Sequence, residues 1–299
     1  MQNKTKAYLA VISANFIFGS SYAIVKYITP SVIHPFGLNF VRVAVSIILF
    51  WILFLFKPSK KTIDKKDIPR FILCGITGIV INQLFFIKGL SLTTAIHSSL
   101  LSLATPIFIT IIAALVLKEG FTTLKAIGLA FGIGGASLLI MMKDNTIVGS
   151  DMLLGDIMVL INAISYAFYL VMVRPLMEKY SGIQVLRWAF TIGALGILPF
   201  GFPHFLSTDW SAFSISQFVA LGYVAIATTF LAYLLTVYSV STIGSSATGA
   251  FIYTQPFFAT IIATLFAGEH FNIIKAIAAL LIFTGVYLVN YKKLTTVPA

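Results

Sequence analysis

Apolar runs of 17 residues or more follow one another along the chain, each closed by a short cluster of charge or of Gly, Ser and Pro. A run of that length, coiled at about 1.5 Å per residue, crosses the roughly 30 Å hydrocarbon core of a bilayer. The pattern predicts ten helices, near residues 7–28, 36–56, 70–88, 95–117, 123–142, 153–174, 182–203, 215–238, 245–267 and 273–291. From Trp210 to Gly268, 59 residues pass without one Asp, Glu, Lys or Arg, which is room for two crossings with Ser239–Ser246 as the turn. The first run follows Lys4 and Lys6, as the core of a signal peptide would. It continues to Tyr27 with no small-x-small cleavage site at its end, so it is predicted to stay as the first helix.

The second half repeats the first at an offset of 150 residues. From Pro106 to Leu138, 14 of 33 positions match Pro256–Leu288 without a gap, among them Pro106/Pro256, Thr110/Thr260, Glu119/Glu269, Phe121/Phe271, Lys125/Lys275 and Gly135/Gly285. Two repeats of five helices divide the chain into domains 1–149 and 150–299. Five is odd, so a repeat that enters from one side is followed by one that enters from the other. The fold class expected is an all-α integral membrane protein of ten transmembrane helices in two inverted five-helix repeats, a plan common among proteins that move solutes across bilayers.

Composition agrees: 59% of residues are hydrophobic and 10% charged, where a soluble domain is about a quarter charged. The net charge of +11 would fit a nucleic-acid binder, but its placement does not. With the N-terminus inside, Lys4, Lys6, Lys57, Lys60, Lys61, Lys65, Lys66, Arg70, Lys118, Lys125, Arg174, Lys179, Lys292 and Lys293 fall on the cytoplasmic side. Only Lys26, Lys88, Lys143 and Lys275 fall outside. That bias places both termini in the cytoplasm, the protein in the cytoplasmic (inner) membrane, and the Lys57–Arg70 loop on anionic lipid, with no nucleic-acid partner. The single Cys74 excludes an intrachain disulfide.

Further matches extend the repeat. Phe18-Gly19 with Lys26 on the first helix corresponds to Tyr166-Ala167 with Arg174 on the sixth, and Arg42 on the second to Arg187 on the seventh. Together with the Pro106–Glu119–Gly135 and Pro256–Glu269–Gly285 spacings, they make the whole chain resemble the drug/metabolite transporter superfamily, in its ten-helix EamA-type branch. The resemblance implies a basket of ten helices with pseudo-two-fold symmetry and alternating access. Helices 1, 3, 4, 6, 8 and 9 would line the central cavity, with 5 and 10 at the periphery. It also implies a carrier of small organic metabolites, amino acids included, often directed outward. Where the family has Trp-Gly on the first helix this chain has Phe18-Gly19, without the indole donor.

Pro106 and Pro256 fall near the middle of the fourth and ninth predicted helices, where a missing N–H and a crowding ring free the carbonyls of Ser102 and Ile252. A hinge beside a substrate cavity and a tolerated kink both fit. Polar stripes surround them: Asn15, Gly19, Tyr22 and Lys26 on the first helix, Asn82 and Gln83 on the third, His97, Ser98, Ser102 and Thr105 on the fourth. The sixth adds Asn162, Tyr166 and Tyr169, the eighth Thr229, Tyr233 and Thr236, the ninth Thr248 and Gln255. Single Ser and Thr residues also serve as glue between membrane helices. Asn15, Gln83, Tyr166 and Gln255 cost more to bury unpaired and favour a cavity. Aromatic and amide groups with almost no charge suit a small neutral or zwitterionic solute.

Charges at membrane depth are few. Arg42 and Arg187 lie near enough to helix ends to snorkel and are assigned structural roles. Lys88 closes the third helix, serving its dipole or a substrate carboxylate. No carboxylate is expected mid-helix, since Glu119 and Glu269 fall in turns. That leaves His97 as the one membrane-facing group titrating near neutral pH and the candidate site if protons are a coupling partner. Gly128, Gly132, Gly134 and Gly135 allow close helix approach, within a monomer or in a weak homodimer.

An enzyme is disfavoured. The His residues (34, 97, 204 and 270) are scattered, and HExxH, GxSxG, a P-loop and a carboxylate pair are all missing, so no metal or cofactor is expected. A flippase of a lipid or lipid-linked substrate is the alternative; it would need a polar groove opening sideways, whereas the stripes are expected to converge centrally.

Overall fold

The computed structural model describes residues 2–58, 62–117, 123–141, 151–243, 248 and 251–290. In hydrocarbon, backbone N–H and C=O groups must find partners within the protein, and a helix satisfies nearly all of them in one segment. The described residues form helices and no strand. Gln2–Ile28 is α1 and Pro35–Phe56 is α2. Three consecutive pieces, Ile68–Gly75, the π-helical Ile76–Ile81 and Asn82–Leu92, make α3. Then come α4 (Ala95–Ser102), α5 (Thr105–Leu117), α6 (Thr123–Met141), α7 (Met152–Lys179) and α8 (Gly182–Leu206). The α9 helix also has three pieces, Ile215–Gly222, the π-helical Tyr223–Leu231 and Ala232–Ile243. A 3-10 turn, Phe251–Thr254, leads into α10 (Gln255–Phe266), and α11 is Ile273–Asn290.

Six helical stretches among the described residues are long and apolar enough to cross a membrane: Lys4–Ile28, Pro35–Phe56, Lys65–Leu92, Met152–Lys179, Gly182–Leu206 and Ile215–Ser239. Shorter apolar helices follow at Ala95–Ile109, Ala126–Leu138, Phe251–Phe266 and Ile273–Gly285. The outer surface is apolar, with Leu55 75%, Phe266 82% and Ile215 85% exposed, as lipid contact requires.

Two features depart from the uninterrupted helices expected. The prolines do not sit inside continuous helices; each stands in the first turn of a new one, Pro106 in α5 and Pro256 in α10. The amide of Leu103 turns back to the carbonyl of Leu100 and that of Ala104 to Leu101, so the chain breaks at Ser102 and restarts at Thr105. A residue without an N–H and with φ already helical is well placed there, because first-turn donors have no partner inside the helix anyway. The other departure is the π-helical stretch in α3 and α9, at corresponding places in the two halves. Its carbonyls are taken up by neighbouring helices: Ser165 donates to Thr77 O at 2.6 Å and Ser46 to Ala225 O at 3.5 Å.

Helix ends are capped by local sequence. Ser214 and Gln217 form a reciprocal capping box before α9, Ser181 Oγ accepts from Gln184 N, and Asp151 Oδ1 accepts from Leu154 N. His34 Nδ1 accepts from Phe36 N at 3.3 Å, and its ring stacks on His204 of α8 with centroids 3.5 Å apart. Burial pushes the His34 imidazole down to about 4 from its ordinary 6.5, and His204 and Lys88 push the same way. The folded value lies below the unfolded one. The stability His34 contributes is therefore full above pH 6.5 and is lost as pH falls from there toward 4. Between about pH 7 and 4.5 the thermal midpoint is expected to fall, and to fall less in His34→Gln, which differential scanning fluorimetry would check.

Packing between helices relies on van der Waals fit, since lipid tails are as apolar as the side chains. At these glycines backbone meets backbone most closely between α6 and α11, where a Cβ on Gly285 would lie 2.5 Å from Gly128 O and 2.6 Å from Gly132 N. Gly128, Gly132 and Gly135 therefore serve contact within the chain, whereas no described residue approaches Gly134. Gly89 and Gly155 do the same for α3 and α7, each Cβ position lying 2.9 Å from the other's carbonyl oxygen.

Candidate functional site

Polar side chains inside the bundle gather at three levels. The first is the end that carries Lys26. Contact at Gly89 and Gly155 sets Asp156, in the second turn of α7, beside the α3–α4 turn, where Thr93 Oγ1 donates to Asp156 Oδ1 at 2.6 Å. His97 Nδ1 stands 3.5 Å from Asp156 Oδ2, and both residues are 0% exposed. Thr94 caps α4 by accepting from His97 N, while Glu269 accepts from Ala95 N at 2.7 Å and from Ile96 N at 2.9 Å. A carboxylate on two first-turn N–H groups uses both unpaired donors and the positive end of the helix. Lys26 closes the other side, donating to the carbonyls of Leu90, Ser91 and Thr93 at the end of α3.

The second level is the opposite end. Asp67 is buried and holds Lys179 at 3.1 Å, while Tyr180 OH donates to its Oδ2 at 2.8 Å and accepts from Asp64 N. Ser239 Oγ donates to Ala7 O at 3.0 Å, tying α9 to α1. At both ends, then, residues before position 150 are bound to residues after it.

Between them lies the third level. Arg42 is 3% exposed and points into the bundle rather than toward an interface. Its Nε donates to Thr229 Oγ1 at 2.8 Å, and that hydroxyl donates in turn to Val224 O, five residues back in the π-helical stretch. Gln83 Nε2 donates to Tyr233 OH at 3.3 Å, and Asn39 Nδ2 to Gln83 O at 3.0 Å. The Tyr233 ring meets Phe18 and Phe190 edge-on, at 5.9 and 5.3 Å. Tyr166 and Tyr169 stack on each other at 5.9 Å along α7.

Of the candidates, Gln83, Thr229 and Tyr233 meet at this centre. Several of the others pair with one another. Tyr22 OH donates to Ser102 Oγ, which donates to Ser98 O; Gln255 Nε2 donates to Asn15 Oδ1 at 2.8 Å; Asn162 Nδ2 donates to Asn82 O. Gly19 packs against α10, its Cβ position 2.7 Å from Phe258 Cβ, and Thr105 and Thr248 are buried. Glu119 lies outside the described residues.

Three expectations are corrected. A buried carboxylate does exist, Asp156, so His97 is not a lone titratable group. Arg42 does not snorkel; its sequence counterpart Arg187 is the structural one, held over Phe54 at 3.5 Å and Trp51 at 4.4 Å. Lys88 does not end its helix, which runs on to Leu92. Both missed residues carried a signal. Asn39, Arg42 and Ser46 repeat at spacings of three and four on an otherwise apolar helix, and Asp156 shares a face with Val159, Ala163 and Tyr166.

An apolar helical bundle with its polar groups inside, and tied across its two halves at both ends, has the build of a multi-pass membrane transporter. A family model for the EamA-like transporter family matches residues 5–141 and again 153–291, and the chain belongs to that family. An uncharacterized transporter of Bacillus subtilis (strain 168), YetK, is 24% identical over 96% of this chain and 87% of its own. A protein of Streptantibioticus cattleyicolor described as a "Probable terminal-alkyne amino-acid exporter" is 28% identical over 77% of this chain and 75% of its own. A solved crystal structure shares the fold, with a TM-score of 0.64 and 18% identity over 96% of both chains. Family and relatives are transporters, not enzymes.

Proposed function

We propose that the protein is a secondary transporter of small neutral or zwitterionic metabolites, amino acids foremost, moved outward across the cytoplasmic membrane by alternating access. The observation that carries this reading is the central polar group of Arg42, Gln83, Thr229 and Tyr233, closed off by ties between the two halves at either end. Ten crossings in two inverted repeats, 1–149 and 150–299, would let one set of ties open while the other holds. The prolines that start α5 and α10 are the hinges in this scheme. The charge bias of the loops supports two cytoplasmic termini. Outward amino-acid transport draws its support from the relative described as an exporter. His97 and Asp156 are the candidate proton site.

Counterflow of labelled amino acids in proteoliposomes, with and without a pH gradient, tests the reading. Saturable movement is expected, reduced roughly tenfold in Pro106→Ala/Pro256→Ala if loss of the breaks costs about 1.4 kcal/mol in opening. Lipid scrambling without solute movement would transfer the reading to a lipid or lipid-linked substrate.

A further inference from the structure

Among the buried atoms without partners in the described residues, two stand on α2 and are of opposite character. Arg42 Nη1 is a donor on a permanent cation; Asn39 Oδ1 is an acceptor only. They sit three residues apart on α2, so their side chains share a helix face. The Asn39 assignment follows from its other atom, since Nδ2 is committed to Gln83 O. Around Arg42 the named partners are neutral, and no carboxylate of the described residues lies within ion-pair distance of it. An unpaired guanidinium in a membrane bundle is costly, and such a group is retained where a ligand or a charge completes it. Arg187, at the corresponding sequence position, stacks instead on the rings of Trp51 and Phe54.

We infer that Arg42 and Asn39 form the head-group site for an α-amino acid, Arg42 Nη1 taking the carboxylate and Asn39 Oδ1 the ammonium. An α-amino acid presents one donor-rich cation and one acceptor-rich anion on adjacent carbons, the complement of these two atoms one helical turn apart. Its side chain would lie among the aromatic rings of Phe18, Phe190 and Tyr233, since Tyr233 accepts from Gln83, whose carbonyl accepts from Asn39. The α2 helix thus supplies head-group recognition, although helices 1, 3, 4, 6, 8 and 9 were those expected to line the cavity. This assignment rests on the amino-acid reading above and can be separated from it.

The test uses full-length protein in detergent and three probes with one side chain: leucine, 4-methylpentanoate without the ammonium, and leucinamide without the carboxylate. Binding is read as the ligand-induced shift of the unfolding midpoint, and leucine counterflow is measured in parallel. Leucine is expected to bind best and leucinamide worst. Arg42→Gln is expected to weaken leucine and 4-methylpentanoate by about 10–100-fold, one charge-assisted hydrogen bond, while leaving leucinamide unchanged. Asn39→Leu is expected to abolish the advantage of leucine over 4-methylpentanoate. Arg187→Gln controls for loss of a buried arginine, and Arg42→Lys, which keeps the charge, is expected to retain part of the carboxylate preference. Equal binding of leucinamide and 4-methylpentanoate by the unmodified protein, or a carboxylate preference that survives in Arg42→Gln, overturns the site whether or not leucine moves. Arg42-dependent binding of 4-methylpentanoate without leucine binding or counterflow keeps the carboxylate half of the site and removes the amino-acid reading.

Discussion

Glu269→Ala is expected to destabilise the protein by about 3 kcal/mol, through loss of two charge-assisted hydrogen bonds. The carboxylate belongs to the α10–α11 turn, yet its acceptors serve Ala95 and Ile96 at the start of α4. Removing it strands two N–H groups inside the bundle and takes away a negative charge acting on Lys26. Glu269→Gln keeps one acceptor and no charge, so its loss should be about half as large. Unfolding in a graded denaturing detergent would measure both. A shift for alanine no greater than for an exposed carboxylate such as Glu178, which pairs only with Arg174 on its own helix, would show that the cap does not hold the two halves together.

Asp156→Asn is expected to reduce proton-driven flux by roughly 10–100-fold and to flatten its pH profile, on the scale of leaving one buried polar group without its counterpart. Asparagine has nearly the same shape and can still accept from Thr93 Oγ1, so the α3–α4 turn should stay in place. What it removes is the carboxylate beside His97. The other charged groups around this pair are Lys26, on the carbonyls of α3, and Glu269, on the amides of α4. His97→Ala should flatten the profile in the same way while sparing equilibrium exchange at fixed pH. Flux that remained equally pH-dependent in His97→Ala would end the proton role of the pair.

The helical plan was open to reading because period and length in an apolar chain are dictated by the bilayer, and Gly, Pro and charge mark the ends. What could not be read was the direction in which side chains reach. Arg42 is close enough to a helix end to snorkel, and only the partner helices decide that it turns inward to Thr229. Asp156 stands in the second turn of α7, five residues after the capping carboxylate Asp151, at a place where helix ends commonly meet solvent. Its burial depends on Gly155 meeting Gly89, a contact that no local pattern contains. Asn15 and Gln255 are costly to bury unpaired, and Gln255 Nε2 meets that cost by donating to Asn15 Oδ1. The prolines were legible as interruptions; that they open new helices instead of bending old ones follows from the turn at Leu103 and Ala104.

The glycine contact between α6 and α11 also bears on how the protein is made. Gly128 and Gly132 leave the ribosome early, and the residue they close on, Gly285, follows about 150 residues later. At typical synthesis rates of 5–20 residues per second, α6 waits roughly 8–30 s for α11. During that interval the surface that will meet α11 lies open to lipid or a passing helix. The first half of the chain is thus an unfinished object until α11 arrives, because the contact at Gly285 can close only then.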